Sequence, residues 1–355
     1  MSVEHPLPHN DLRFVQWEAA GLWPQLKEAR LFITGATGFF GRWLLESLFF
    51  ANLHEVLGVR VTALSRDPEA FLRRAPHLAV PGLSWIKGSV TGLEAGDFAG
   101  NRFDAVIHLA TEADMEATKA EPDAAVSVIT EGTRRTLEVA AQTGARRFLF
   151  TSSGAVYGSQ PGNPDRLSED STGMVNLGDN QSLYTVQGHA KLQAERLCME
   201  YTRRDGLGAV IARGFSFAGP GLPLDSKFAF GNFIRDGLTG GPIVIRGDGT
   251  PVRSYLYAAD LAVWLWTLLL RGVPGRAYNV GSERPVTMLE LANLVSSELG
   301  ASGVEVQQKP RPDGVMDRYI PSTQRARQEF GLGENFTLPE IIRCTASWCL
   351  PKVKH

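Results

Sequence analysis

Residues 31–41 read LFITGATGFFG, an apolar run that enters three glycines, Gly35, Gly38 and Gly41, before the helix-like stretch RWLLESLFF. A strand that passes through glycines into a helix forms a seat for phosphate, because backbone N–H groups and the positive end of the helix dipole converge where no Cβ blocks approach. The spacing differs from the common G-x-G-x-x-G pattern, so the order of strand, turn and helix carries the inference. The stretch predicts a dinucleotide-binding site.

Composition narrows the possible partners and compartment. The 355 residues carry a formal net charge of -2 and a pI near 6.4, which gives no electrostatic reason to expect nucleic acid or an anionic membrane. Three cysteines, Cys198, Cys344 and Cys349, show neither metal-ligand spacing nor a disulfide pattern. The N-terminus lacks the features of a signal peptide, and the apolar stretch 261–270 is too short to span a bilayer. We expect a cytoplasmic protein with no metal.

Strand-like and helix-like segments alternate from Ala29 onward, with short connections. The strand-like segments are LFIT, VTALS, DAVIHLA, RFLFTSS and GAVIAR, and the helix-like segments between them lie at 43–50, 69–74, 124–143 and 182–204. Such alternation is typical of a parallel sheet covered by helices on both faces. The sequence therefore predicts an α/β fold with a doubly wound parallel sheet, the Rossmann architecture.

The regularity fades after Gly219-Pro220, where Gly- and Pro-rich segments replace the alternation. We therefore expect a second, smaller lobe. The predicted division is an N-terminal extension at 1–28, an NAD(P)-binding Rossmann domain at 29–215, and a mainly substrate-binding lobe at 216–355 whose strand and helix segments return to the Rossmann domain.

The end of the second strand bears on the choice of cofactor. In a dinucleotide fold this point meets the adenosine ribose, and here the sequence places Ser65 and Arg66 there. A guanidinium forms charge-assisted pairs with phosphate oxygens, so these residues favour the 2′-phosphate of NADP. In the alternative interpretation Arg66 is a solvated surface residue and Asp67 caps a helix. Both NAD and NADP stay open.

Five segments in order carry a family resemblance. They are the glycine loop, HLA at 108–110, TSSGAVYG at 151–158, the helix containing Lys191, and RGDGTPVRSYLYAADLA at 246–262. From about residue 29 to about residue 350, the chain resembles the extended short-chain dehydrogenases/reductases, and more narrowly the nucleotide-sugar epimerases and dehydratases. The resemblance implies that bound NAD(P)+ transiently oxidises a carbon of a nucleotide-diphosphate sugar. The resulting ketone permits epimerisation, elimination or decarboxylation.

The resemblance also assigns catalytic residues. Family members use a serine or threonine at the end of a strand and a tyrosine four residues before a lysine, and Ser153 and Lys191 match the first and last of these. The nearby ammonium lowers the pKa of the phenol, so that phenolate can take the proton of the sugar hydroxyl. The tyrosine position departs from the family pattern, because Gln187 occupies it.

Three residues could replace the tyrosine. Tyr184 lies seven residues before Lys191, on nearly the same helix face, and could reach the substrate through a local insertion or an unwound turn at Gly188. Gln187 could act as an orienting hydrogen-bonding group, since an amide is not a base. His189 could take over proton transfer. We favour Tyr184.

The resemblance further implies the residues that bind cofactor and substrate. The cofactor set is Gly35, Thr37, Gly38, Phe39, Phe40, Gly41, Ser65, Arg66, Leu109, Ala110 and Lys191. The substrate set is Ser153, Asn232, Arg253 and Arg318, with the arginines neutralising the diphosphate. Family members also dimerise through two helices that correspond to 124–143 and 182–204, so a homodimer is expected by analogy.

Two small residues bear on the reaction type. The family's 4,6-dehydratases carry acidic residues directly after the catalytic serine or threonine, whereas this chain has Gly154 and Ala155. Neither can transfer a proton, so the sequence favours epimerisation. The alternatives are a dehydratase of unusual mechanism and a catalytically silent NAD(P)-binding sensor or scaffold.

Overall fold

The computed structural model describes residues 4–111, 122–158, 165–171, 183–225, 228–309 and 317–350. Its strands are β1 (Arg30–Thr34), β2 (Arg60–Ser65), β3 (Leu83–Lys87), β4 (Ala105–His108), β5 (Arg147–Ser153), β6 (Gly208–Gly214), β7 (Phe217–Ala218), β8 (Ile243–Ile245), β9 (Val252–Arg253), β10 (Leu256–Tyr257), β11 (Ala277–Val280), β12 (Val286–Thr287) and β13 (Val304–Val306). Its helices are α1 (His9–Glu18), α2 (Phe39–Glu55), α3 (Pro68–Arg74), α4 (Pro122–Gln142), α5 (Leu183–Asp205), α6 (Ala229–Leu238), α7 (Ala258–Arg271), α8 (Met288–Leu299), α9 (Gln324–Phe330) and α10 (Leu338–Cys349).

The central sheet has seven strands in the order β11-β6-β5-β4-β1-β2-β3. Neighbouring strands from β3 to β6 all pair in parallel. Every residue of β4 is buried, as expected of a strand covered on both faces. The buried residues of the sheet pack with those of α4 and α5; among them are Phe32, Val106, Phe148, Phe150, Leu137 and Ala194. The predicted doubly wound Rossmann fold is confirmed.

Chain order reverses between β1 and β4, which lie side by side in the sheet. Strands β2 and β3 follow on one side of β1, and β5 and β6 follow on the other side of β4. In open parallel sheets ligands bind outside the carboxyl ends of the strands at this switch point. The topology therefore directs attention to the residues that follow β1, β2, β4 and β5.

The chain divides into two compact units. The first contains Met1–Gly158, Thr172–Gly214 and Ala262–Tyr278, and it includes the strands β1 to β6. The second contains Ser159–Ser171, Phe215–Leu261 and Asn279–His355. Short strand pairs lie in the second unit: β7 with β10 and β8 with β13 in parallel, and β9 with β12 antiparallel. Within the described ranges, no helix has both the length and the hydropathy needed to cross a bilayer.

The segment before β1 is fastened to α2 by buried charges. Arg42 and Glu46, one helical turn apart, are only 3 % and 5 % exposed, and Arg42 Nε donates to Glu46 Oε1 at 2.8 Å. Glu4 forms an ion pair with Arg42. Glu46 also accepts the backbone N–H of Leu7 at 2.7 Å and lies 3.0 Å from His77 Nε2. Burial makes each partner depend on the other, because an unpaired buried charge is costly.

We expect Glu46→Ala to lower the free energy of unfolding by about 3–5 kcal/mol, because it removes the buried carboxylate that accepts from Arg42 and from the backbone N–H of Leu7. Glu138→Ala is the matched control, since Glu138 pairs with Arg134 at the same helical spacing but on a partly exposed face. We expect the control to cost about 1 kcal/mol or less. Urea denaturation followed by circular dichroism measures both. Equal losses in the two variants would contradict this account of the N-terminal segment.

Candidate active site

Two of the three loop glycines are required by the protein's own packing. Gly35 has φ +70°, and a Cβ there would lie 2.6 Å from the backbone nitrogen of Ala110, in the loop after β4. At Gly41 a Cβ would lie 2.5 Å from both Gly35 O and Ala36 Cα. No real Cβ approaches backbone so closely. These glycines therefore hold the loops after β1 and β4 and the start of α2 against one another.

The remaining loop glycine, Gly38, is different. It caps the N-terminus of α2 with φ −82°, and among the described residues a Cβ there would meet only Gly35 O, at an ordinary contact distance of 3.4 Å. The described part of the protein thus has room for a side chain at this position. The missing Cβ instead leaves space beside the first turn of α2, where the backbone N–H groups of a helix N-terminus point outward. This cradle fits the pyrophosphate of a dinucleotide.

At the end of β2, Ser65 and Asp67 are engaged in local structure. Ser65 Oγ accepts the backbone N–H of Asp67 at 3.2 Å, and Asp67 Oδ1 accepts that of Ala70 at 2.9 Å as the N-cap of α3. Asp67 therefore has the capping role of the alternative interpretation. The side chain of Arg66 is exposed and forms no ion pair with any described residue. Capping by Asp67 and a phosphate contact by Arg66 are compatible.

At the end of β4, a buried histidine joins the loop after β1 to α4. His108 Nδ1 lies 2.6 Å from Thr34 Oγ1, and His108 Nε2 lies 3.0 Å from Thr133 Oγ1. Thr133 donates its own proton to Ile129 O, so it accepts from His108, which fixes the tautomer with the proton on Nε2. Thr34 Oγ1 donates to His108 and accepts the N–H of Ala110 at 3.4 Å.

Burial, with the ammonium of Lys191 as a second cause, lowers the pKa of His108 to about 3. The imidazole is therefore neutral near pH 7 and serves as a fixed hydrogen-bonding group. In the sequence, His108 belongs to the motif HLA and has no predicted role. A polar residue at the end of a fully buried strand could have indicated one, because a buried polar group needs hydrogen-bond partners.

The end of β5 brings Ser153 and Lys191 together. Lys191 is 6 % exposed, its Nζ donates to Thr151 O at 2.8 Å, and the ammonium lies 4.8 Å from the ring centre of Phe150. Ser153 lies two residues after Thr151, and its Oγ accepts an N–H of the 3-10 helix Gly154–Tyr157 at 3.2 Å. Burial lowers the pKa of Lys191 to about 8. The predicted pair thus lies at one strand end, with the lysine poised to lose its charge in mild alkali.

Helix α5 is continuous from Leu183 to Asp205, so the expected unwound turn at Gly188 is wrong. The reason is steric: a Cβ at Gly188 would lie 2.4 Å from Ala155 O, so glycine is needed for close packing of α5 on the loop after β5. On an unbroken helix, Tyr184 begins about 10 Å along the axis from Lys191, compared with about 6 Å for a spacing of four. The side chain of Tyr184 lies outside the described part of the structure.

The other two candidates for the missing tyrosine have different positions. Gln187 lies one turn before Lys191 on the same face of α5 and is partly buried. His189 lies two residues before Lys191, and residues at that spacing do not share a helix face. Its Nε2 is buried and has no hydrogen-bond partner among the described residues. The helix geometry therefore favours Gln187 and Tyr184 over His189.

A buried charged cluster next to Lys191 was missed by the sequence analysis. Glu195, one turn after Lys191, accepts from Ser152 Oγ at 2.5 Å and from Arg213 Nε and Nη2 at 3.0 and 2.7 Å. Arg213 Nη1 also donates to Tyr157 OH at 3.0 Å. The only sequence signal was the four-residue spacing of Lys191 and Glu195, because Arg213 lies on a different element.

In the second unit, the predicted Arg253 already contacts an anion. Its Nη2 lies 2.6 Å from Asp317 Oδ2, and its Nη1 donates to Asp317 O at 3.0 Å. The guanidinium lies 5.9 Å from the ring centre of Tyr319. The Asp317 side chain is 64 % exposed, and such a pair contributes about 1 kcal/mol or less, so a more highly charged group could displace it.

The structure brings Arg318 close to Arg253 but leaves Asn232 apart. Arg318 forms a β-bridge with Val252, the neighbour of Arg253, and its Nε is buried with no hydrogen-bond partner among the described residues. Arg318 Nη2 is 3.7 Å from Asp165. Asn232, on α6, accepts from Arg235 at 3.4 Å, and no contact to either predicted arginine is seen in the described part of the chain. Successive strand positions point to opposite faces, so this bridge brings the two backbones together without placing both guanidinium groups on one anion.

The chain is similar to known proteins in sequence and in fold. The profile of the NAD dependent epimerase/dehydratase family matches residues 31–281. UDP-glucuronic acid decarboxylase 1 of Arabidopsis thaliana is 29 % identical over 318 residues, which cover 88 % of this chain and 68 % of that protein.

Solved structures with the same fold are also found. DesIV (dTDP-glucose 4,6-dehydratase) of Streptomyces venezuelae, with NAD and TYD bound, has a TM-score of 0.75 and 25 % identity over 90 % of this chain and 96 % of its own. Epimerase Mth375 of Methanothermobacter thermautotrophicus has a TM-score of 0.78 and 22 % identity, covering 92 % of this chain and 94 % of its own.

We expect Gly38→Ala to weaken NAD+ binding about tenfold or more while changing the free energy of unfolding by less than about 0.5 kcal/mol, because its Cβ would collide with a bound pyrophosphate and not with the protein. Gly92→Ala, at an exposed glycine with nothing within 4 Å of the added Cβ, is the control and should bind NAD+ normally. Calorimetric titration and urea denaturation measure the two quantities. Normal NAD+ affinity in Gly38→Ala would show that the pyrophosphate lies elsewhere.

Proposed function

Because the chain belongs to the NAD dependent epimerase/dehydratase family, we propose that it modifies a nucleotide-diphosphate sugar through a transient keto-sugar, and that the net reaction is epimerisation. The observation that carries the proposal is the buried ammonium of Lys191 at the same strand end as Ser153. A buried lysine beside a serine hydroxyl, next to a cradle for a dinucleotide, suits the oxidation of an alcohol.

The cofactor set divides its work by position. The glycine loop and the first turn of α2 bind the pyrophosphate, and Lys191 donates to the nicotinamide ribose. When bound, NAD(P)+ supplies the acceptor for the hydride that leaves the sugar carbon. Ser153 hydrogen-bonds the hydroxyl on that carbon and keeps it in place while its proton leaves.

We assign the proton transfer to Tyr184. A helical spacing of seven places residue 184 on nearly the same helix face as Lys191, and an ammonium near a phenol would lower the pKa of that phenol. Gln187 lies between them and orients the sugar by hydrogen bonds. If Gln187 instead occupies the position of the phenol, the site lacks a base. The hypothesis of a catalytically silent NAD(P)-binding sensor or scaffold is then favoured over that of an enzyme.

Gly154 and Ala155 support epimerisation over dehydration. Elimination of water needs an acid and a base beside the sugar, and neither residue can provide one. A dehydratase would need those groups from another element. A decarboxylase is the second candidate, because loss of CO2 from a β-keto acid needs no such pair of carboxyl groups, and a UDP-glucuronic acid decarboxylase is among the relatives of this chain.

On the substrate side, we assign Arg253 and Arg318 to the diphosphate. The ion pair of Arg253 with the exposed Asp317 carboxylate supports this assignment, because a diphosphate with more charge would replace that carboxylate. Asn232 is assigned to the same ligand from α6. We further place the protein in a reducing cytoplasm, which its three free cysteines support, and propose a homodimer through α4 and α5.

We expect incubation with a panel of UDP- and dTDP-sugars, including UDP-glucuronic acid, to give a new anomeric proton signal for one of them. Lys191→Ala should slow that conversion about 100-fold or more, since it removes the group that holds the ribose and tunes the base. Lys87→Ala, at an exposed lysine, is the control. Proton NMR in D2O distinguishes an epimer, a dehydrated sugar and a decarboxylated sugar. No conversion of any sugar, or full activity in Lys191→Ala, would refute the proposed function.

We also propose that NADP binds more tightly than NAD through Arg66. Arg66→Ala should then weaken NADP+ binding about tenfold or more and leave NAD+ binding nearly unchanged, because only the 2′-phosphate forms a charge-assisted pair. Arg60→Ala, at the opposite end of β2, is the matched control. Calorimetric titration with both cofactors measures the effect. Equal losses for NAD+ and NADP+ in Arg66→Ala would contradict a 2′-phosphate contact.

A further inference from the structure

We propose that Glu195 is a positioning residue of the cofactor site, whose buried carboxylate, held by Arg213 and Ser152, fixes both the location and the positive charge of Lys191. This role rests on the cofactor-binding role proposed for Lys191. The proposed function gives no role to the buried charges of Glu195 and Arg213, and this proposal supplies one.

The Glu195 carboxylate is buried and accepts three hydrogen bonds. The residue is 2 % exposed, and its carboxylate receives two N–H groups of Arg213 and the hydroxyl of Ser152 at 2.5–3.0 Å. A planar guanidinium that donates two hydrogen bonds to one carboxylate holds it in a single orientation. Glu195 thereby anchors α5 at a point one turn from Lys191.

The cluster of Glu195, Arg213 and Ser152 lies next to both proposed active-site residues. Ser152 directly precedes Ser153 on β5, and Lys191 lies four residues before Glu195 on α5. Arg213, at the end of β6, also donates to the hydroxyl of Tyr157, which ends the 3-10 helix capped by Ser153. One carboxylate therefore ties together three elements that determine where the serine hydroxyl and the ammonium lie.

In the described part of the chain, Lys191 is faced by groups from its own helix and from two strands. These groups are Glu195 and Cys198 on α5, His108 on β4, and Thr151 O and the Phe150 ring on β5. Arg213 on β6 pairs with Glu195. Burial raises the pKa of the Cys198 thiol and lowers the pKa of His108, so both are neutral near pH 7.

Glu195 is therefore the anion that counteracts the burial of Lys191. Burial lowers the pKa of Lys191 to about 8, and the charge of Glu195 acts in the opposite direction. An ammonium donates three hydrogen bonds, whereas a neutral amine is a weaker donor to the ribose hydroxyls. Loss of the Glu195 charge should thus allow the ammonium to lose its proton at a lower pH.

The test measures the dissociation constant of NADH by its fluorescence between pH 6 and 10. NADH is chosen because its dihydronicotinamide is uncharged, so the ammonium of Lys191 has no positive ring charge to oppose when it hydrogen-bonds the ribose. For the unmodified protein we expect affinity to fall as pH rises through about 8, where Lys191 loses its proton. In Glu195→Gln the midpoint should move down by about one pH unit or more.

Glu195→Gln removes the carboxylate that neutralises the buried Arg213 and can fail to fold. The double variant Glu195→Gln/Arg213→Met removes both charges and is expected to fold, because neutral replacements of buried ion pairs are often tolerated. Its midpoint should also move down. Ser152→Ala keeps every charge, so it should weaken NADH binding a few-fold with the midpoint unchanged. Glu200→Gln, an exposed carboxyl on the same helix, should behave as the unmodified protein.

The outcomes separate two failures. If Lys191→Met abolishes the pH dependence but both Glu195 variants keep the original midpoint, Glu195 has only a structural role and the proposal falls. If Lys191→Met binds NADH with unchanged affinity and pH dependence, the cofactor-binding role of Lys191 falls instead. A lowered midpoint in the double variant, together with an unchanged midpoint in Ser152→Ala, is the result that supports the proposal.

Discussion

The close approach of backbone to backbone at Gly35 is the constraint on which the site depends. A side chain there would collide with the chain after β4, and a side chain at Gly41 would collide with the loop itself. With both positions reduced to glycine, the ends of β1 and β4 and the start of α2 come together at the switch point of the sheet. No close contact among the described residues requires glycine at Gly38, and the proposed pyrophosphate site rests on this position.

A second constraint is electrostatic and lies one strand further along the sheet. The end of β5 holds Lys191 away from water, and the protein compensates with Glu195, a neutral His108 and a backbone carbonyl. Burying several charges together contributes little to stability by itself, since desolvation offsets the attraction. Its benefit is a fixed geometry, in which the ammonium and the hydroxyl of Ser153 keep the same relation in every molecule.

Sequence patterns predicted the parts of this architecture that are local. The strand, glycine turn and helix at 31–50 and the alternation up to 213 are encoded in short stretches, and the sheet has the expected form. Ser153 and Lys191, singled out by the family resemblance, lie at the same strand end. Asp67 as a helix cap was likewise open to prediction, because a cap depends on residues three positions away.

Other features depend on contacts that no short stretch contains. A glycine at position 188 suggests an unwound turn of the helix. In the structure it allows close packing of α5 on Ala155, which is distant in sequence. The pairing of Glu195 with Arg213 joins a helix to a strand, and the pairing of Arg253 with Asp317 spans 64 residues. His108 is one residue of a short motif in the sequence, and its hydrogen-bonding role follows from the hydroxyls of Thr34 and Thr133, which lie on other elements.

The most direct test of the central claim is a crystal structure of the protein with NAD+ bound. The account predicts pyrophosphate oxygens within hydrogen-bond distance of the first-turn N–H groups of α2 beside Gly38, and Lys191 Nζ within hydrogen-bond distance of the nicotinamide ribose. A dinucleotide bound away from Gly38, or a ribose out of reach of Lys191, would contradict it.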